Sequence, residues 1–373
     1  MKKSLMFAAI LAAGFMASCS NEDKSFDAGN NDADRVPILF TMNNGAVNVT
    51  TRGTGAVGDV AGSENVWRSE KLYVSMFQKG TNTLAVDKYG NIFDRTELTA
   101  PASTAAANSG MAEYDGYKYY PQTGNYDFFA FHVSDAANPA DVADGKLEVT
   151  IDGSQDLMVA KADMTEDQKM AFEAAVEPSQ KDRYYSAFSA RRNVQPHFQF
   201  EHLLSRFVFT VEPTESSKDK VTVKAIKVRN TKTQATMVVS YVEKPVQLLI
   251  PAETVDSVYL KERVPGQPEA YDLQALTAQT YSTKTRVGES LLLIPQEEYQ
   301  LEIQMEQETP EGKTYEFSYH HTMTAPGGAA SFVAGNQYNV NFTIYGIEQI
   351  KLDVTLTPWA DGGNIDINND DIN

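Results

Sequence analysis

Cys19 is the only cysteine in a chain of 373 residues, so any thiol chemistry must pass through it. Lys2 and Lys3 open the sequence, an apolar run from Ser4 to Met16 follows, and Ala17-Ser18 precede the cysteine. A signal peptidase needs small side chains before its cut, and the thiol of such a cysteine takes a diacylglycerol group, joined by acyl chains such as palmitate. Cys19 is therefore the expected lipidation site, and residues 1–18 are the expected signal peptide. The apolar run is about thirteen residues, short of the roughly twenty that a helix needs to cross a bilayer. Once lipidated, Cys19 leaves no thiol for a disulfide, a metal or a nucleophile.

The other residue types suited to chemistry occur in weaker patterns. Gly53-Thr54-Gly55-Ala56-Val57-Gly58 spells a dinucleotide-binding string. A pyrophosphate needs a helix to start inside that loop, and Asp59 to Asn65 is loop-like instead, so a flexible linker is expected. His320 and His321 would point to opposite faces of a strand, and His197 and His202 diverge in the same way. His321 would share a face with Phe317 and Tyr319, in a core or half-buried position. Asp366, Asp370 and Asp371 lie near the C-terminus but lack the glycine and distal glutamate of a calcium loop. Carboxylate pairs such as Glu297-Glu298 are easily found among 50 acidic residues, and no G-x-S-x-G string marks a nucleophile. No enzyme, metal or cofactor is expected. Tyr114, Tyr117, Tyr119, Tyr120, Tyr126, Phe128, Phe129 and Phe131 crowd one region, where they would form either core or an exposed platform for sugar rings.

The elements that must position these residues read as strands. Leu301, Ile303 and Met305 alternate with polar residues, as do Tyr338 to Ile344 and Ile350 to Leu356, the pattern of strands with one wet face. Further strands are expected at Ile38–Met42, Leu72–Phe77, Tyr126–Val133, Leu147–Ile151, Phe207–Val211, Val221–Val228, Met237–Val242, Val246–Ile250, Leu291–Ile294 and Tyr315–Met323. Many short strands separated by Gly, Pro and Asn imply antiparallel sandwiches. One helix is expected after Thr165, because Thr165-Glu166-Asp167-Gln168 has capping-box spacing and Pro178 closes the run.

Length and charge set the larger frame. Ser20 to Arg35 is almost free of apolar residues and is expected to be a disordered tether. The 338 residues beyond it exceed what one core usually serves. A composition shift at Arg191–Gln195 places the expected boundary, giving domains 36–195 and 196–373. The net charge is −18, and loss of Lys2 and Lys3 with the signal leaves 30 basic against 50 acidic residues, or −20. Such a surface repels phosphate backbones and anionic headgroups, so nucleic acid is not an expected partner.

Several of these pieces, in this order, resemble the fimbrillins, the subunits of type V pili. They are the signal with Cys19, Val36-Pro37-Ile38-Leu39-Phe40 followed by Thr51-Arg52-Gly53, Tyr119-Tyr120-Pro121, Asp127-Phe128-Phe129-Ala130-Phe131, Asp156-Leu157-Met158, Phe200-Glu201-His202-Leu203-Leu204-Ser205, Leu292-Leu293-Ile294-Pro295-Gln296, Gly335-Asn336-Gln337-Tyr338 and Pro358-Trp359. The resemblance implies an all-β chain of two tandem transthyretin-like antiparallel β-sandwich domains, with the helix as a minor insertion. It also implies a lipidated precursor that reaches the outer membrane, loses its first strand to an arginine-specific protease, and accepts a strand from a neighbouring pilin subunit in a cell-surface fimbrium. Here Ile38, Phe40 and Met42 would be the plugs of the removable segment 36–51, and Arg52 the cleavage site, with Arg35 as competitor. Ile365, Ile367 and Ile372 would serve as a short donor.

Ser20-Asn21-Glu22-Asp23-Lys24 resembles an export tag for surface lipoproteins, and Asp256-Ser257-Val258 resembles a short O-glycosylation signal, expected in an accessible loop. The expected function is that of a structural pilus subunit serving adhesion. The alternative is a monomeric surface lipoprotein that binds glycans through aromatic platforms.

Overall fold

A computed structural model describes residues 35–43, 70–100, 109–111, 116, 118–218, 220–265, 273–308, 311–346 and 349–357. Residues Val36–Gly363 group as one compact unit. Its first half carries β1 (Thr41–Asn43), β2 (Lys71–Gln78), β3 (Thr96–Thr99), β4 (Ser109–Met111), β5 (Tyr126–His132), β6 (Lys146–Thr150), β7 (Met158–Lys161), the helices α1 (Glu166–Ala175) and α2 (Ala187–Ala190), β8 (His197–Gln199) and β9 (Glu201–His202). The second half continues with β10 (Ser205–Pro213), β11 (Val221–Lys232), β12 (Gln234–Val238), β13 (Leu249–Pro251), β14 (Val255–Tyr259), β15 (Lys261–Arg263), β16 (Leu273–Ala275), β17 (Gln279–Thr280), β18 (Thr285–Leu293), β19 (Glu298–Glu308), β20 (Thr314–Thr324), β21 (Gln337–Gly346) and β22 (Gln349–Thr357).

The all-β expectation holds. In the first half a five-stranded sheet, β3-β2-β5-β7-β9, faces a three-stranded sheet, β4-β1-β8. Phe40, Phe93, Phe128, Phe198 and Tyr185 fill the core between them. In the second half β18-β10-β21-β22 faces β14-β11-β19-β20, closing on Phe207, Phe209, Ile226, Ile303, Val340 and Phe342. Leu301, Ile303 and Met305 are buried on one face, as their alternation requires.

A third core lies where the halves meet. Strand β6, from before residue 195, pairs with β12, from after it, and β13 completes that sheet. Leu147 lies opposite Met237 in the ladder. Phe131, Val133, Val149, Leu204, Leu292 and Ile294 pack with them. Strand β5 therefore has apolar layers on both faces, which explains why its residues from Phe128 to His132 are all buried instead of alternating.

Some boundaries move. The strand expected at Met237–Val242 runs instead from Gln234 to Val238, because Val239 N and Ser240 N leave the ladder and donate to Gly145 O at 2.8 and 3.3 Å. The strand expected at Val246–Ile250 is confined to Leu249–Pro251. Val246 is fully exposed, and Pro245 before it has no amide to donate. Helix α1 forms as expected: the Thr165 hydroxyl accepts from Gln168 N, and the Gln168 side chain accepts from Thr165 N, each at 3.2 Å. What anchors the helix is Phe172, buried edge-on to Phe188, while Met170 faces solvent.

Candidate functional site

The first segment of the unit lies inside a sheet. Tyr120 N donates to Val36 O, and Ile38 N donates to Lys118 O, both at 2.9 Å. Thr41–Asn43 then pairs antiparallel with Ser109–Met111 on one side and parallel with His197–Gln199 on the other. Between these points the Gln195 amide takes the place of a neighbouring strand: its oxygen accepts from Leu39 N at 3.3 Å and its nitrogen donates to Pro37 O at 3.4 Å. A segment paired on both sides leaves two open edges if it is withdrawn.

Side chains of the segment alternate between the core and the outside. Val36, Ile38 and Phe40 point inward, the last two with 0% exposure, while Pro37 and Leu39 are half-buried. Phe40 sits at the centre of an aromatic cluster, edge-on to Phe93 at 5.9 Å and Phe128 at 5.6 Å, and stacked on Phe198 at 5.6 Å. At about 1.5–3 kcal/mol per buried side chain, these three residues contribute of the order of 5–9 kcal/mol. The same surface would be left open to water if the segment departed.

Of the expected site residues, Ile38 and Phe40 come together in this way. The backbone of Met42 is in β1; its side chain, together with Cys19, Arg52, the Gly53–Gly58 string and the C-terminal Ile365, Ile367 and Ile372, lies outside the described residues. Arg35, the competing cleavage site, is half-buried directly before Val36. Ser257 is not in a loop. It is half-buried in β14, the edge strand paired with β11, whose register shifts beside it between Val228 and Thr231. The strand arises because Val258 alternates into the second core while Val255 and Tyr259 face out.

Most of the crowded aromatics are core. Tyr120, Tyr126, Phe128, Phe129 and Phe131 are buried, so none offers a face to a sugar; Tyr114 and Tyr117 lie outside the described residues. Phe317, Tyr319 and His321 are half-buried on one face of β20, with the Tyr319 and His321 rings stacked at 6.3 Å.

Sequence reasoning missed a sealed polar cluster beside the third core. His202 Nδ1 lies 3.2 Å from Asp156 Oδ1, and both side chains are fully buried. His132 meets Lys71 O through Nδ1 at 2.8 Å and Ser134 Oγ through Nε2 at 3.2 Å. Burial pushes the Asp156 carboxyl well above the usual carboxylate range and holds His202 and His132 below the usual imidazole value, so both imidazoles are uncharged. The cluster pins β5, the Asp156 turn and β9 together. Among the described residues, no group of three or more His, Cys, Asp or Glu is placed to hold a metal ion. No described helix is long and apolar enough to cross a membrane.

Among curated proteins none matches the chain. A solved cell-adhesion candidate from Bacteroides uniformis is 18% identical, with 89% of this chain and 100% of that one covered, at a TM-score of 0.49. One from Bacteroides ovatus is 14% identical, with coverage of 87% and 98% and a TM-score of 0.49. The fimbrial anchor protein Mfa2 from Porphyromonas gingivalis is 12% identical, with coverage of 87% and 98% and a TM-score of 0.35. The model of the fimbrillin-like family matches residues 54–359, most of the sequence, and the chain therefore belongs to the fimbrillin-like family.

Proposed function

We propose that this chain is a structural subunit of a cell-surface pilus, assembled by proteolysis-triggered strand exchange. Membership in the fimbrillin-like family supports the pilus or adhesin role and the cell-surface location. The observation that carries strand exchange is the first segment, which is hydrogen-bonded on both sides and fills the centre of a core with Ile38 and Phe40. Withdrawing it would expose two strand edges and a row of apolar pockets, and an extended strand from a neighbouring subunit can satisfy both, with main-chain pairing for affinity and alternate side chains for fit.

In this reading Cys19 carries the lipid that holds the precursor at the outer membrane. Cutting after Arg52, just before the family match begins at residue 54, frees the segment 36–51. Ile365, Ile367 and Ile372 are the proposed donor, with Met42 a third plug. The domains are proposed as 36–195 and 196–373, with 19–35 as a tether. Mass spectrometry of the N-terminus of protein extracted from cells tests lipidation and cleavage together. An acylated Cys19 in the precursor and a chain starting at Gly53 in the polymer are expected; an unmodified Cys19 or a polymer retaining Val36 contradicts the scheme. Ser257 is proposed as an O-glycosylation site, reached from the open side of β14. A peptide across Ser257 of unmodified mass in native protein overturns that assignment.

A further inference from the structure

Near α2, four cations lie close in sequence, and two of them, Arg183 and Arg192, share the ring of Phe188. Lys181, Arg191 and Arg192 are exposed and Arg183 is half-buried, and none of the four meets a carboxylate among the described residues. This is unexpected in a chain with 50 acidic and 32 basic residues. Elsewhere Lys71, Lys161, Lys227 and Arg263 sit against acids at 3.0, 3.4, 3.0 and 2.6 Å. The acids nearest in sequence, Glu173, Glu177 and Asp182, are exposed and form no ion pair with the four.

Arg183 and Arg192 are also held in place. The guanidinium carbon of Arg192 lies 3.8 Å from the centre of the Phe188 ring, and that of Arg183 lies 4.8 Å from the same ring. Arg192 donates one hydrogen bond to Phe188 O at 2.8 Å. Nearby, Lys79 sits 4.0 Å over the Tyr184 ring and donates to Asp182 O. Phe188 is itself fixed by Phe172 of α1. Stacking on an aromatic ring restrains a guanidinium and leaves most of its edge N–H donors free, the arrangement that grips planar carboxylates and sulfates.

We propose that this patch is a binding site for a linear polysaccharide bearing carboxylate or sulfate groups. A thin chain can cross the patch while the rest of its length stays more than a Debye length, about 8 Å, from the acidic remainder of the surface. A second folded copy would instead press two surfaces of net negative charge together over a wide area.

The test uses the folded mature protein with heparin as the sulfated probe, polygalacturonate as the carboxylated probe and dextran as the neutral control. Wild-type protein binds one or both polyanions and not dextran, and the affinity falls steeply between about 50 and 200 mM salt. Arg183→Gln with Arg192→Gln weakens binding about tenfold or more. Lys181→Gln with Arg191→Gln disturbs no stacking, so the fold is kept, and lowers the slope of log K against log salt by roughly one for each cation removed. Arg192→Lys keeps the charge but loses planar stacking, and weakens binding with little change in slope. Three results overturn the proposal. They are wild-type binding no stronger than to dextran, unchanged binding by the Lys181→Gln/Arg191→Gln variant, or salt-sensitive self-association that the variants abolish in protein that binds neither polyanion.

Discussion

Phe40 concentrates the energetics of the site in one side chain. It touches Phe93, Phe128 and Phe198 and has no exposure, so Phe40→Ala should cost about 3–5 kcal/mol of stability in the intact chain. The same substitution should have no effect on protein from which the segment has been removed; comparing denaturant midpoints before and after cleavage measures both. The inward face of Ile38 and Phe40 was expected from the family resemblance, but Gln195 was not. Its amide pairs with a segment more than 150 positions earlier, and nothing local marks such a contact. Asp156 and His202 were hidden for the same reason, 46 positions apart. They have their own consequence. Burial holds His132, His197 and His202 below the usual imidazole value in the fold, while in the unfolded chain each takes a proton near pH 6.5. The unfolded state therefore binds more protons as the pH falls, and the stability present above about pH 6.5 is lost below it. Asp156, raised by burial, opposes this, because its folded carboxyl keeps a proton that the unfolded one releases. His321, also lowered by burial, adds to the fall, so a melting temperature that falls from about pH 6.5 downward is predicted, and His202→Gln should flatten that fall; a flat profile in the wild type would contradict the assignment.

Among the elements, the capping box of α1 and the period-two strands β19, β21 and β22 were readable because their signals are local: a hydroxyl three residues from an amide, or an apolar residue at every second position. Strand β5 was recognised but its environment was not, since a third core covers its second face only after β6 and β12 meet. The end of β12 shifted because Gly145, far away in sequence, takes the amides of Val239 and Ser240. Helix α1 buries only Phe172, so it is a lightly held insertion. Thr165→Ala should lower stability by about 1 kcal/mol through loss of the cap. Hydrogen exchange should place that loss in α1, leaving β5 and β10 protected; a loss spread over both halves would mean that α1 supports the cores more broadly.

At the scale of the whole molecule, both sandwiches and the shared core between them follow from burial, since the lone cysteine offers no disulfide. The all-β class was plain from periodicity, whereas the sheet that joins the halves was not, because pairing between β6 and β12 is set by tertiary packing and not by either strand's own sequence. In the proposed scheme this scaffold is coupled to function through one piece, Val36–Asn43, whose β1 residues are seated between neighbours that its removal would leave as open edges. The direct test is limited digestion of the folded mature protein with an arginine-specific protease, followed by electrophoresis with and without boiling. The account predicts a first cut after Arg52, then a ladder that resists detergent until boiled, and no ladder from Arg52→Ala under the same treatment. Folded protein that resists the cut at Arg52, or cut protein that stays monomeric at high concentration, would contradict it.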